Sequence, residues 1–516
     1  MNKTMRKGLA LFLAACCVCT AAPAEARADV VSVTTNTTPT GSYSSYTKAE
    51  LLKSDTMAYD TLSSSNNVHY YKYTADKTGY FTINLAQISG RGVWNVSVYD
   101  ADHSNQELEA QSLVENFTSR SYNLAAGRSV YIKVERVREV DVKLFNYDVT
   151  KDYMYSLIVR TTTATDWEQE DNDSKLTATV LPQEMWINGS SYKTGDEDWY
   201  TYTIPQRGYF TFNFQDQSTS SSRWTVTLYD QNLKELEKQT GAQTFTSGKY
   251  VFPTGTKVYM KVAGYKAGGH YQIRANYTAS NVWEQESNDT MGNATKLTAG
   301  KEMHGSIQSK SDVDYYRYVA KGTGYFKIAF TNVDGGENQY WKLSLYDEKK
   351  NLLQTVETEE ELQTTLAAMS FRKGKEIYLK VERNINDYAC GHEYTVLVKQ
   401  SNESGWEQEY NNSFKTATVL KKNKTCKANN YSVRDKDYFV YQAAKSGNAS
   451  IKVTLPEEGY WSVTVYNQKK KAIQKEDYVQ NGKKITCNLK KGEKVYVLVK
   501  ARTQSAMGQT YKVTVK

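Results

Sequence analysis

Residues 167–204 read WEQEDNDSKLTATVLPQEMWINGSSYKTGDEDWYTYTI. The stretch opens on Trp167, Glu168, Gln169 and Glu170. It closes on Asp196, Glu197 and Asp198, which lead into Trp199 and the alternating Tyr200, Tyr202 and Ile204. Apolar and polar residues alternating with period two predict a β-strand with one buried face. The opening WEQE returns at residues 283–286 and 406–409, after 116 and then 123 residues. Each copy runs on into Asn172 and Asp173, Asn288 and Asp289, or Asn411 and Asn412. It then reaches an Asp-x-Asp followed by an aromatic: Asp196 and Asp198, Asp312 and Asp314, Asp435 and Asp437. The second Glu lies 28 residues before the second Asp in all three copies, and a constant offset marks a structural repeat rather than a shared composition.

Other landmarks extend the repeat in a fixed order. A strand opens at Gly79, Gly208, Gly324 and Gly447, and a second opens at Trp94, Trp224, Trp341 and Trp461 and ends in Tyr-Asp or Tyr-Asn. A Tyr-x-x-Val strand follows at Tyr131, Tyr259, Tyr378 and Tyr496, and a closing strand begins near Tyr155, Tyr271, Tyr394 and Tyr511. The first copy shares these landmarks but has no WEQE, and Asn67, Val68 and His69 stand where the Asp-x-Asp belongs. Phe210, Phe212 and Phe214 alternate with polar residues, as do Phe326, Ile328 and Phe330. With turn signals about every ten residues, this predicts an all-β chain of four tandem antiparallel β-sandwiches, jelly-roll-like. The expected divisions are a signal peptide at 1–28 and repeats at 29–163, 164–279, 280–402 and 403–516, the first without an acidic site and the last basic. The junctions between repeats read as short and polar, with limited flexing expected.

The first residues carry Lys3, Arg6 and Lys7 ahead of an apolar run at 9–22, with small residues at Ala26 and Ala28. That is the pattern of a secretory signal cleaved near Ala28. Leu13, Ala14, Ala15 and Cys16 also resemble a lipobox, so a lipid anchor at Cys16 stands as the second reading. No later run reaches the length of a membrane span, so the mature chain is expected to be extracellular or tethered at the cell surface by lipid. Beyond the signal, the cysteines are Cys390, Cys426 and Cys487. An odd count allows one disulfide, with Cys426 and Cys487 the better pair, or three unpaired thiols.

Charge is uneven along the chain. From Ser401 onward there are 22 Lys and Arg against 10 Asp and Glu, a net +12, while residues 29–400 come to −7. A cationic end suits acidic polymers such as wall polysaccharide or anionic matrix, although a Lys-rich solvated face has the same composition. No nucleic-acid partner is expected.

The order acidic-x-Glu-x-Asn-Asp, Asp-x-Asp-aromatic, Gly-led strand and Tyr-x-x-Val strand resembles the bacterial pre-peptidase C-terminal domain family, which includes the collagen-binding domains of bacterial collagenases. The resemblance covers the last three repeats and only the strands of the first. It implies a jelly-roll-like sandwich in an accessory role, although no peptidase domain accompanies the repeats in this sequence. In those relatives calcium is held by the N-terminal acidic stretch together with the Asp-x-Asp segment. Carried over, the resemblance points to Glu168, Glu170, Asn172, Asp173, Asp196 and Asp198, and to Glu284, Glu286, Asn288, Asp289, Asp312 and Asp314. In the last repeat it points to Glu407, Glu409, Asn411, Asn412, Asp435 and Asp437, where one carboxylate has become an amide. Oxygen donors in such number suit Ca²⁺. Read without the resemblance, the Asn and Asp make turns and the Glu are solvated linker charge.

The five histidines, His69, His103, His270, His304 and His392, fall into no metal-binding spacing, and neither a GxSxG elbow nor a phosphate loop occurs. A glycosidase needs only one pair of carboxylates, whereas these acidic pairs recur three times, as structural ion sites do. The 41 Tyr and nine Trp provide aromatic contact area. The functional expectation is a secreted noncatalytic binding or adhesion protein, its tandem copies adding avidity on an extracellular matrix protein or polysaccharide. The alternative is a structural spacer or accessory subunit of a separately encoded secreted peptidase. A mass measurement of the mature N-terminus distinguishes the two anchoring modes: cleavage near Ala28 leaves an unmodified start, and lipidation leaves acyl mass on Cys16.

Overall fold

The computed structural model describes residues 43–88, 92–137, 151–218, 224–309, 311–322, 324–335, 340–358, 362–370, 372–383 and 390–516. Residues 1–28, the expected signal segment, and Cys16 within them lie outside the described residues. Among the described residues eight sheets form four face-to-face pairs, and the strand order of one pair recurs in the others. In the second sandwich, five strands lie in the order Thr179–Val180, Glu197–Thr203, Lys257–Gly264, Trp224–Tyr229 and Glu235–Ala242. The facing sheet runs Ile187–Ser190, His270–Ala279, Gly208–Asp216 and Thr244–Thr246. Among the described residues no α-helix occurs, and none is long and apolar enough to cross a membrane.

One pairing in each sandwich departs from the antiparallel expectation. Thr179–Val180 runs parallel to Glu197–Thr203, as do its counterparts Glu50–Leu52, Thr295–Lys296 and Thr418–Val419 beside their neighbours. The chain leaves this short edge strand, crosses to Ile187–Ser190 in the other sheet, and returns in the original direction. Such a crossover forces parallel pairing.

The period-two reading of the strands holds. Phe210, Phe212 and Phe214 are buried, as are Phe326, Ile328 and Phe330. Each sandwich has its own apolar core around a fully buried tryptophan: Trp94, Trp224, Trp341 or Trp461. In three of them this indole packs edge-on to a tyrosine near the start of the closing strand, with ring centroids 5.7 Å apart for Trp94 and Tyr155, 4.7 Å for Trp224 and Tyr271, and 5.1 Å for Trp341 and Tyr394.

The junctions are more apolar than their composition suggests. Trp167 lies on Tyr80 of the preceding sandwich, Trp283 on Tyr209 and Trp406 on Tyr325, at centroid distances of 4.9, 4.5 and 4.5 Å. Tyr192 and Tyr431, each four residues before the first Asp of an Asp-x-Asp, are buried within the core of the sandwich before their own. Arg128 bonds Asp171 at 2.7 Å across the first junction, and Lys249 pairs with Glu393 across the second.

The three described cysteines are in no disulfide, so of the two alternatives the three thiols hold rather than a Cys426–Cys487 pair. Cys426 lies on Thr425–Ala428 and Cys487 on Lys483–Leu489, the two outer strands of one four-stranded sheet with Tyr511–Val515 and Gly447–Thr454 between them. Three interstrand steps alone separate them by about 14 Å, well beyond the ~7 Å between Cα atoms that a disulfide spans.

Replacing Trp341 by Ala should destabilise the third sandwich by about 3–5 kcal/mol. Urea unfolding of the full chain should then show one transition displaced and the rest unchanged; a curve that does not move refutes the role given to the indole.

Candidate metal centres

The site of the second sandwich is assembled from three segments. The WEQE stretch crosses one end of the sandwich. Trp167 bridges to Asn188, and the Glu168 N–H donates to the Asn188 carbonyl at 3.0 Å. This sets Glu168 between the two sheets, fully buried. Its Oε1 accepts from the Ser190 N–H at 2.5 Å, and its Oε2 accepts from the Tyr200 hydroxyl, from Asn172 Nδ2 at 3.2 Å and from the Tyr271 hydroxyl at 3.2 Å. Tyr271 also donates to Asp198 Oδ2 at 2.6 Å, and Asp196 Oδ2 accepts from the Tyr192 N–H. Glu168, Glu170 and Asp198 bring carboxylate oxygens within 4.8 Å of one another, as do Glu170, Asp173 and Asp196. Asp173 sits at the exposed rim, paired with Lys193 at 2.7 Å; the other candidates are buried.

The third sandwich repeats this arrangement. Glu284 accepts from the Ser306 N–H at 2.7 Å, from the Tyr316 hydroxyl at 2.6 Å and from Asn288 Nδ2 at 3.1 Å, and Tyr394 donates to Asp314. Glu284, Glu286 and Asp314 converge within 4.8 Å. Asp312 lies beside them, accepting from the Gln308 N–H at 2.6 Å, and Asp289 is exposed.

In the fourth, Glu407, Glu409 and Asp437 converge in the same way, and Asp435 accepts from the Tyr431 N–H at 3.1 Å. Two differences set it apart. Phe439 stands where Tyr200 and Tyr316 stand, so Glu407 receives no phenolic hydroxyl from that strand, and Asn412 Oδ1 already accepts the Lys436 N–H at 3.0 Å.

The tyrosine hydroxyls were not visible as site groups in the sequence, where Tyr271, Tyr394 and Tyr511 marked only the start of a strand. Their aim depends on register. Gly189 lies opposite Tyr271, and a Cβ there would stand 2.5 Å from the Tyr271 oxygen and 2.6 Å from that of Tyr200; Gly305 occupies the same position in the third sandwich. Ala428 takes this position in the fourth, opposite Tyr511.

The first sandwich places Asp60 there, opposite Tyr155. Asp60 Oδ2 is 2.7 Å from His69 Nδ1 and accepts from the Tyr71 hydroxyl at 2.9 Å, and His69 occupies the register position of Asp198. An internal acid and an imidazole therefore fill the place that the acidic stretch fills elsewhere. The remaining histidines are dispersed: His103 beside Asp100, His304 beside Glu393, His392 beside Asp334, and His270 against the edge of Trp167.

The donor set fits a hard cation. In all three acidic sandwiches the same buried oxygens have no hydrogen-bond partner: Glu170 Oε1, Asn172 Oδ1 and Asp198 Oδ1, then Glu286 Oε1, Asn288 Oδ1 and Asp314 Oδ1, then Glu409 Oε1, Asn411 Oδ1 and Asp437 Oδ1. Leaving buried acceptors unpaired is costly. Carboxylate and amide oxygens, with no imidazole or thiolate among them, match the coordination of Ca²⁺ rather than of zinc. These clusters could hold a metal ion.

Electrostatics agree with that donor chemistry. Burial first, offset in part by hydrogen bonds, pushes Glu168 and Glu284 up to about 7. Burial and the neighbouring carboxylates push Glu170, Asp198, Asp314 and Asp437 well above the usual carboxylate range.

No protein-family model matches this sequence, and no curated protein matches it. Among solved structures, the pre-peptidase C-terminal domain of a Bacillus anthracis collagenase aligns with 22% of this chain and 93% of its own, at 16% identity and a TM-score of 0.17. The tandem CBM22 domains of Paenibacillus barcinonensis Xyn10C align with 39% of this chain and 83% of their own, at 10% identity and a TM-score of 0.15. The tandem CBM51 modules of a Streptococcus pneumoniae family 98 glycoside hydrolase align with 42% and 83%, at 8% identity and a TM-score of 0.15. Values this low transfer no site residue to this chain.

A pH dependence follows for the ion-free protein. Its folded state binds more protons than the unfolded chain between the ordinary glutamate value of 4.5 and the raised value of about 7 at Glu168 and Glu284. Stability therefore falls as pH climbs through that window, and the more strongly raised carboxylates carry the fall further above it. In chelator the full chain should melt at a higher temperature at pH 5 than at pH 8; the reverse order refutes the shifts.

Proposed function

We propose that this chain is a secreted, noncatalytic binding protein built from pre-peptidase C-terminal-like repeats, in which the second, third and fourth each hold one structural Ca²⁺. The observation that carries this reading is the threefold recurrence of the same partnerless buried oxygens beside the same converging carboxylates. Glu168, Glu170, Asn172, Asp196 and Asp198 would supply the second repeat's ligands with Asp173 at the rim. Glu284, Glu286, Asn288, Asp312 and Asp314 would supply the third's, with Asp289 at its rim. Glu407, Glu409, Asn411, Asp435 and Asp437 would hold the fourth ion more weakly, since Asn412 offers an amide oxygen already engaged. A bound ion would supply positive charge to the buried carboxylates, and these residues would tie the acidic stretch to its sandwich through it. The first repeat, closed by Asp60 and His69, holds none.

The repeats divide at 29–163, 164–279, 280–402 and 403–516, after a signal at 1–28. The chain is exported, with Cys16 as a lipid anchor in the alternative form. Its partner is an extracellular polymer, either matrix protein or polysaccharide. A second reading, a spacer or accessory subunit for a separately encoded secreted peptidase, draws support from the junctions, where each linker tryptophan is seated on the preceding sandwich.

Calcium should raise the melting temperature of the full chain relative to chelator. Binding to the native state alone stabilises by about 2.7 kcal/mol at a hundred times Kd. Glu284→Gln combined with Asp314→Asn should abolish the rise for one of three calcium-linked transitions, and coincident melting curves with calcium and with chelator would overturn the ion sites.

A further inference from the structure

The outer face of the fourth sandwich's five-stranded sheet differs in charge from the other three. Strand Asp437–Gln442 pairs with Lys494–Ala501, that with Trp461–Tyr466, and that with Ala472–Val479. Asp437 registers with Val499, which sets Lys436 across from Lys500; Lys500 registers with Ser462, and Lys475 with Thr464. Arg502 follows on the same side of the chain as Lys500. The ammonium of Lys500 is held below its ordinary value, first by burial and then by the charges of Arg502 and Lys436, with Lys475 adding to them and Asp477 opposing, so these cations share one field.

The corresponding positions carry no such cluster elsewhere. For Lys436, Lys500 and Arg502 the second sandwich has Glu197, Ala263 and Tyr265, and the first has Val68, Glu135 and Val137; for Lys436 and Lys500 the third has Val313 and Glu382.

Beside the cations stand two exposed rings. Tyr478 is 65% exposed and Tyr460 is 41% exposed, with centroids 6.3 Å apart. Tyr478 adopts a left-handed φ of 55° in the irregular pairing opposite Trp461, where the second sandwich has Gly241 at 73° and the first has Leu113 at 60°. A bulky residue is strained in that region, so an aromatic held there and left in solvent is not explained by packing. The Arg502 guanidinium lies 5.9 Å from the Tyr478 centroid and bonds Asp477 Oδ1 at 2.5 Å, and Lys475 Nζ is 2.7 Å from Asp477 Oδ2.

We propose that this ledge binds an anionic polysaccharide of the polyuronate type, with sugar rings laid on Tyr460 and Tyr478 and carboxylates paired with Arg502, Lys500, Lys475 and Lys436. The proposal rests on the polymer-binding reading above and gives it a place and a ligand class. Arg502 supplies a planar fork that matches a carboxylate, and exposed aromatic faces suit the apolar faces of sugar rings. Asp477 decides between polyanions. Set among the cations, it accepts hydroxyl protons from a sugar but repels closely spaced phosphodiesters, so a nucleic acid fits less well.

The test is retardation of the full chain, in calcium, by polygalacturonate in affinity electrophoresis, with a neutral glucan and double-stranded DNA as comparison arms. Retardation by polygalacturonate that weakens with salt, and exceeds that by DNA at equal charge, is expected. Tyr478→Gly suits the left-handed backbone and should leave the melting temperature unchanged or raised; combined with Arg502→Gln it should lower the affinity at least tenfold. Wild-type binding that survives intact in this variant would move the site elsewhere and sink the ledge while the polymer-binding reading stands. Equal or stronger retardation by DNA would replace the ligand class. Retention on none of polygalacturonate, collagen or peptidoglycan would overturn the ledge and the polymer-binding reading together.

Discussion

Carboxylates buried in contact with one another must be neutralised, and much of each sandwich's end is arranged around that requirement. In the second, Glu168, Glu170 and Asp198 converge out of water, while the nearest ammonium, Lys193, is occupied at the rim by Asp173 and reaches only to 4.0 Å from Asp196. Tyrosine hydroxyls and backbone N–H groups solvate one side of the cluster. The other side presents oxygens that no protein group meets. A proton or a cation must supply what is missing. The four sandwiches answer in different ways: an imidazole beside Asp60 in the first, a full oxygen set in the second and third, and a set short of a tyrosine and a free rim carboxylate in the fourth.

The same constraint reaches across the junctions. The tryptophan that begins each acidic stretch lies on a tyrosine of the sandwich before it, and the next residue is the buried glutamate. Tyr192 and Tyr431 do the same from the other ligand segment, since each is buried in the neighbouring core while its N–H holds the first aspartate. Acidic cluster and junction are therefore built from the same few residues, and neither can be rearranged without the other.

The repeat, the strands and the converging acidic residues were legible in the sequence because each is local or periodic: WEQE, the 28-residue offset, and the alternation at Phe210, Phe212 and Phe214. What was hidden depends on register between distant strands. The aim of Tyr271 into the site requires that it face Gly189 from another strand, and nothing near either residue announces that pairing. His69 marked only a missing Asp-x-Asp and Asp60 carried no local signal, yet across the sheets they form one pair. Cys426 and Cys487 share a repeat but lie at opposite edges of a sheet, a separation that linear order does not encode. Asp173 and Asp289 read as equals of the other aspartates, and only burial separates rim from centre.

The tryptophan seats also bear on the order in which the chain can assemble. A ribosome releases Trp167 after nearly all of the first sandwich, including Tyr80, so its seat exists as soon as it emerges. Glu168, its neighbour, must wait for Tyr200 and then for Tyr271, 103 residues later, before its carboxylate has a place to go. Each acidic stretch is thus anchored at one end to a finished sandwich while the other end awaits an unfinished one. In a chain that folds as it emerges, N-terminus first, assembly would run like masonry, each course laid on the last before its own stones are set.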